Sequence, residues 1–153
     1  MKLEGTYEFD APRQVVWDML QDPEVIGSII PGAGVPEEIG ENHYLMLMVI
    51  KVGPVNGRFE SSVHLTDLNP PESYTMNVTG KGPAGHMNGT GNVNLEEQDG
   101  KTIMHYSGDA QVGGKVAAVG QRLLDMTAKA ITKQSLNMLA KRIRRRIEEE
   151  SQA

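Results

Sequence analysis

Cysteine is absent from this chain, which excludes disulfide stapling, thiolate metal ligands and a thiol nucleophile. The absence fits a reducing compartment, so a cytoplasmic location is the expectation. Aromatic residues are scarce, with one Trp and two Phe. No apolar run approaches the roughly 20 residues of a membrane-spanning helix. The opening MKLEGTYEFD alternates charged and apolar residues, unlike a signal peptide. Without an export signal, the sequons at Asn77 and Asn88 read as chance matches inside strands. A net charge of −5 argues against broad nucleic-acid binding.

What the chain does have is enough length for one domain with its own core, at 153 residues, and nine methionines. Methionine fills irregular apolar space and adapts to apolar ligands. Residues 2–9 alternate as a half-buried strand, with Leu3, Gly5, Tyr7 and Phe9 on one side. Asp10 and Pro12 then suit the start of a helix, and Asp22-Pro23 starts a second short one by the same device. Pro31-Gly32 ends it.

From about 35 to 112, turn signals at 40–42, 53–54, 69–71, 82–83 and 98–100 divide the chain into about six strands of an antiparallel meander. Phe59, Ser61, Val63 and Leu65 share the inward face with Tyr74, Met76, Val78, Met87, Val93, Leu95, Met104, Tyr106, Ala110 and Val112. Arg58, Glu60, His64, Asn77, His86, Asn92 and His105 face outward. Residues 115–149 lack Pro and keep a helical period through Leu124, Ala128, Ile131, Ser135, Leu139, Ile143 and Ile147. The order is α+β: a curved antiparallel sheet closed over one long C-terminal helix in a single domain, 1–153.

Catalytic signatures are missing. GKGPAG at 80–85 matches G-x-G-x-x-G, but it opens a strand where a dinucleotide site needs a helix. The four His are scattered without metal-ligand spacing, and no serine sits in G-x-S-x-G. Tyr74 and Tyr106 face inward, either satisfied by backbone or free to donate to a bound carbonyl. Two surface features stand out. KRIRRRIEEE, 141–150, carries five cations, explained by the helix dipole and pairs such as Arg144 with Glu148, or by docking to anionic lipid or to a partner protein. HYLMLMVIKV, 43–52, is apolar on both phases and leaves Leu45, Leu47 and Val49 outward, which suggests a covered surface, most simply a homo-oligomer contact.

The stretches FDAPRQVVWDMLQDPE (9–24), IPGA (30–33), VGPVNGRFE (52–60), LNPPESYTM (68–76), GKGPAGHMNGTGNVNLE (80–96) and GDAQVGGKVAAVGQRLLD (108–125) resemble the CoxG family, the G-type subunits of carbon monoxide dehydrogenase. This family lies within the START-like (SRPBCC) helix-grip superfamily. The resemblance spans roughly residues 1–140, and GPVNGRF and GDAQVGGK are its most family-specific parts. It implies a sheet gripping the long helix around an apolar cavity. It also implies a non-catalytic accessory protein of aerobic carbon monoxide dehydrogenase or a related molybdenum hydroxylase. Such a protein would bind a respiratory quinone, menaquinone or ubiquinone, and link the enzyme to the membrane. Many members carry a C-terminal extension suited to membrane attachment, whereas this sequence stops at Ala153: either this member is short or the tail is missing. The expected location is cytoplasmic, with peripheral contact at the inner face of the cell membrane.

The expected cavity lining is Phe59, Val63, Met76, Val78, Met87, Met104, Tyr106, Leu123 and Leu124, with room provided by Ala117 and Gly120 at the start of the long helix. A ring held there would need donors, from Tyr106 or from backbone near Pro31-Gly32. Two other readings stand beside this one: a docking module whose cavity is incidental, and a cyclase or hydrolase of the same superfamily. An enzyme would need an ionisable group inside the cavity, and the inward phases supply none.

Overall fold

The computed structural model describes residues 1–152. Strand β1 (Lys2–Phe9) leads into α1 (Arg13–Gln21) and α2 (Pro23–Ile29). The meander follows as β2 (Glu37–Gly40), β3 (His43–Val52), β4 (Val55–Asn69), β5 (Ser73–Gly82), β6 (Gly85–Gln98) and β7 (Lys101–Gly113). A short 3-10 helix (Lys115–Val119) and α3 (Gln121–Gln152) complete the chain. The strands form one antiparallel sheet in the order β1-β7-β6-β5-β4-β3-β2, so β1 returns to pair with the last strand.

Each expected turn separates two strands, and the inward phase read from the sequence is the buried one. Phe59, Ser61, Val63 and Leu65 are all buried, while Arg58, Glu60 and His64 are exposed. The Asp22 carboxylate accepts the Glu24 backbone N–H at 3.0 Å and caps α2, with Pro23 at its first position. Asp10 does not cap α1: Pro12 occupies that position, and no side chain bonds the helix start.

The long helix begins later than its periodicity suggests. Lys115–Val119 is a separate 3-10 turn, and Gly120, at φ +99 and ψ 154, breaks the chain before α3 starts at Gln121. That conformation is open almost only to glycine. A helical pattern of apolar residues runs through this break because a 3-10 turn presents nearly the same spacing.

Two apolar clusters hold the helix to the sheet. The larger joins Phe9, Trp17, Leu20, Leu65, Tyr74, Leu95 and Met104 to Leu136, Leu139 and Ile143 of α3. The smaller joins Val52, Phe59, Ala84, Val116 and Leu124 at the opposite end. The backbone of α3 comes closest to the flanking strands β1 and β3 and to α1 and α2, and stands farther from the middle strands. The Tyr7 hydroxyl also donates to Asn137 Oδ1 at 2.9 Å across the β1–α3 seam. The helix therefore spans the curve of the sheet like a bar, fastened at both ends.

Candidate ligand site

Between the two clusters the inner face of the sheet is lined by small residues. The strand registers set them side by side in rows. One row runs Leu65–Met76–Gly91–Gly108–Leu3. The next runs Val63–Val78–Gly89–Ala110. A third runs Met46–Ser61–Gly80–Met87–Val112. Beyond these, the row Leu95–Met104–Tyr7 is bulky and well buried.

The third row is covered, with Met46, Ser61 and Gly80 all buried, but the first is open at its glycines. A Cβ added at Gly91 would meet only the Ser107 carbonyl, at 3.5 Å, and one at Gly108 would meet only backbone. No side chain lies within 4 Å of either position. Leu3, Met76, Val78, Met87, Gly89, Tyr106 and Ala110 keep partial exposure although all face inward. Across from them, Ala128, Ile131, Thr132 and Ser135 of α3 are likewise half-buried. Solvent thus reaches a channel between the bar and the middle of the sheet. The Thr132 hydroxyl donates to the Ala128 carbonyl of its own helix, at 2.8 Å, so it offers the channel no free donor.

The channel borders a recess at the α1–α2 end. Leu20, Gln21, Pro23, Ile26, Pro36, Tyr44, Met46, Val63, Leu65, Tyr74 and Met76 line it, in a space of about 370 Å³ that includes its open mouth. Its free interior is only about 30 Å³, room for little more than a water. Met76 and Val63 belong both to the recess and to the small rows. Tyr74 stacks edge-on against Trp17, with centroids 5.6 Å apart. Burial pushes the Tyr74 phenol well above its ordinary value, so it stays protonated. Tyr44 is raised by burial first and then by the carboxylates of Glu38 and Asp22.

The expected site residues divide three ways. Val63 and Met76 line the recess, Val78 and Met87 lie in the small rows, and Tyr106 lies in the neighbouring row with Tyr74 and Val93, its ring over Gly5. Phe59, Leu123 and Leu124 belong to the smaller closing cluster and wall off one end. Met104 is corrected to the packed core, 3 % exposed beside Leu95. Ala117 and Gly120 both lie before α3, Ala117 in the 3-10 turn and Gly120, exposed, at the break. The open inner positions at Gly91 and Gly108 belong to the sheet. The Pro31-Gly32 backbone is also engaged elsewhere: the Gly32 carbonyl accepts the Val49 N–H at 2.9 Å. Sequence reasoning missed Gly80, Gly89, Gly91, Gly108 and Gln21. The alternation NGTGNVN carried the signal, since its glycines share the inward phase of Met87 and Val93.

Outside the channel, Leu47 and Val49 stand 64 % and 54 % exposed, as their phase requires, while Leu45 is half-buried. The cations near the end of α3 partly serve packing. Arg142 donates to Ser28 Oγ at 3.2 Å, and Arg146 pairs with Glu150 at 3.2 Å, not Arg144 with Glu148. Among the described residues no helix is long and apolar enough to cross a membrane, and no group of three metal-binding side chains occurs.

Comparison with known proteins agrees with this architecture. A conserved protein from Geobacillus kaustophilus is similar at 33 % identity and a TM-score of 0.91, over 95 % of this chain and 96 % of that one. The Zhui aromatase/cyclase from Streptomyces sp. R1128 shares the fold at 18 % identity and a TM-score of 0.68, over 96 % and 95 % of the two chains. A START superfamily protein from Mycobacterium smegmatis does so at 10 % identity and a TM-score of 0.69, over 94 % and 97 %. No curated protein matches the chain. The family model for the G-type subunit of carbon monoxide dehydrogenase (CoxG) matches residues 5–144, and the chain belongs to that CoxG family.

Proposed function

We propose that this protein is a non-catalytic carrier that holds a long apolar ligand, most concretely menaquinone or ubiquinone, between α3 and the sheet. The observation that carries the reading is the open inner face at Gly91 and Gly108, where an added Cβ would have no side chain within 4 Å. A chain lying along the row from Met76 to Leu3 crosses β5, β6, β7 and β1. At about 4.8 Å between strands, that path is roughly 14 Å long, enough for several isoprenoid carbons. The side chains along it are apolar or small, with no acid or base poised for proton transfer.

Membership of the CoxG family supports a molybdenum hydroxylase such as carbon monoxide dehydrogenase as the partner. The carrier would take electrons from that enzyme to the membrane by transporting the quinone, in peripheral contact with the bilayer. Protein made in a quinone-producing host and examined by native mass spectrometry is expected to carry a prenylated quinone. Quinone-free protein that also fails to bind added quinone would overturn the reading.

A docking role is favoured by a different observation, the exposed Leu47 and Val49 on β3. Replacing Leu45 and Leu47 with Asp is expected to abolish association with the partner enzyme, or with a second copy, while the fold remains. Unchanged association in pull-down and sedimentation measurements would remove this surface from consideration.

A further inference from the structure

The recess beside the channel contains a donor without an acceptor. Gln21 lines it, and the Gln21 Nε2 is buried with no hydrogen-bond partner. A buried N–H left unpaired costs free energy, so native chains rarely leave such a group unmatched without a reason. Here it borders a space whose other walls are almost wholly apolar: Leu20, Ile26, Pro36, Met46 and Met76. Tyr74 lines the same space, 5 % exposed and edge-on to Trp17, and brings a second donor, its hydroxyl. An amide N–H and a neutral phenolic O–H can both donate to one oxygen, and neither carries charge, so a neutral carbonyl oxygen satisfies them without burying an ion.

Resting on the apolar-ligand reading, we propose that this recess is the acceptor end of the site. It takes a carbonyl oxygen of a flat apolar molecule, with the Gln21 amide and the Tyr74 hydroxyl as donors. The free interior, about 30 Å³, suits an oxygen atom and not a ring. The ring lies in the wider mouth, between Pro23, Pro36 and Tyr44, and any tail leaves past Met76 into the channel over Gly91 and Gly108. The assignment places the ligand head at α1–α2, on the far side of Met76 from Tyr106.

The test compares two probes of one shape: 2-methyl-1,4-naphthoquinone, which has carbonyl oxygens, and 2-methylnaphthalene, which has none. The chain has no cysteine for the quinone to alkylate. Calorimetric titration of the full chain is expected to show tighter binding of the quinone, with quenching of Trp17 as a second readout. Tyr74→Phe and Gln21→Leu should each shrink that preference by about fivefold, the worth of one neutral hydrogen bond. Without ligand, Gln21→Leu should melt level or higher, because it removes an unpaired buried donor, and Tyr74→Phe should melt level. A structural role for these groups would instead lower the melting temperature and leave the preference intact. If both probes bind and neither variant changes the preference, the acceptor site is overturned while the apolar-ligand reading survives. If neither probe binds, both fall.

Discussion

Two parts of the same inner sheet face, on the same strands and the same phase, behave oppositely. Near α1 the row Leu95–Met104–Tyr7 presses against Phe9 and Leu139, and Leu95 and Leu139 are essentially inaccessible. Two rows further along β6 and β7, Gly91 and Gly108 have no side chain within 4 Å of an added Cβ. Alternation along a strand thus tells which side is inward but not whether that side is packed. Side-chain volume decides it, summed across strands, and only the register shows that Gly91 meets Gly108 and Gly89 meets Ala110. A packed end gives stability, and an unpacked middle gives capacity.

That contrast can be broken deliberately. The largest effect is expected in the packed part: Leu139→Ala should lower unfolding free energy by about 2–5 kcal/mol in denaturant titrations, through lost burial and a cavity. Gly120→Ala should cost about 1–3 kcal/mol, because its backbone conformation excludes a Cβ. It should leave ligand binding unaltered, which separates a chain break from a cavity wall. In the channel the prediction reverses. Gly91→Val should change stability by less than about 1 kcal/mol, gaining strand propensity, yet displace a bound apolar ligand. Loss of stability comparable to Leu139→Ala would show that the channel is closed packing after all.

A fourth measurement concerns pH at the border between the two parts. The Tyr74 phenol is raised above 10.0 in the folded chain. The unfolded chain therefore loses that proton first as pH climbs past 10, and stability falls at up to about 1.4 kcal/mol per pH unit. Below pH 10 the group contributes no slope. Tyr74→Phe should flatten the decline measured by chemical denaturation between pH 9 and 11.

Much of the fold was legible because its signals are local. Gly53-Pro54 and Gln98-Asp99-Gly100 mark turns wherever they occur, and Asp22-Pro23 caps its own helix. The site was less so. Val63, Met76 and Val78 could be placed by phase alone. The gap over Gly91 depends on Gly108 being its neighbour, which no single strand records. Ala117 and Gly120 read as small residues inside the long helix, whereas they form a turn and a break before it. Gln21 ends an amphipathic helix and reads as an ordinary surface residue; only the fold reveals its buried amide.

The approach of the Gly32–Gly34 segment to β3 bears on the exposed apolar strand. Gly34 N–H reaches the Leu47 carbonyl at 2.7 Å, and the Gly32 carbonyl receives the Val49 N–H. Gly32 can lie that near only because it has no Cβ and adopts φ +81. Main-chain groups along this stretch of β3 are therefore already taken. A visiting strand finds no template to extend, so whatever meets Leu47 and Val49 must do so flank to flank, through side chains alone. This stretch of β3 can show a greasy face to a partner without lending it main-chain groups to pair with.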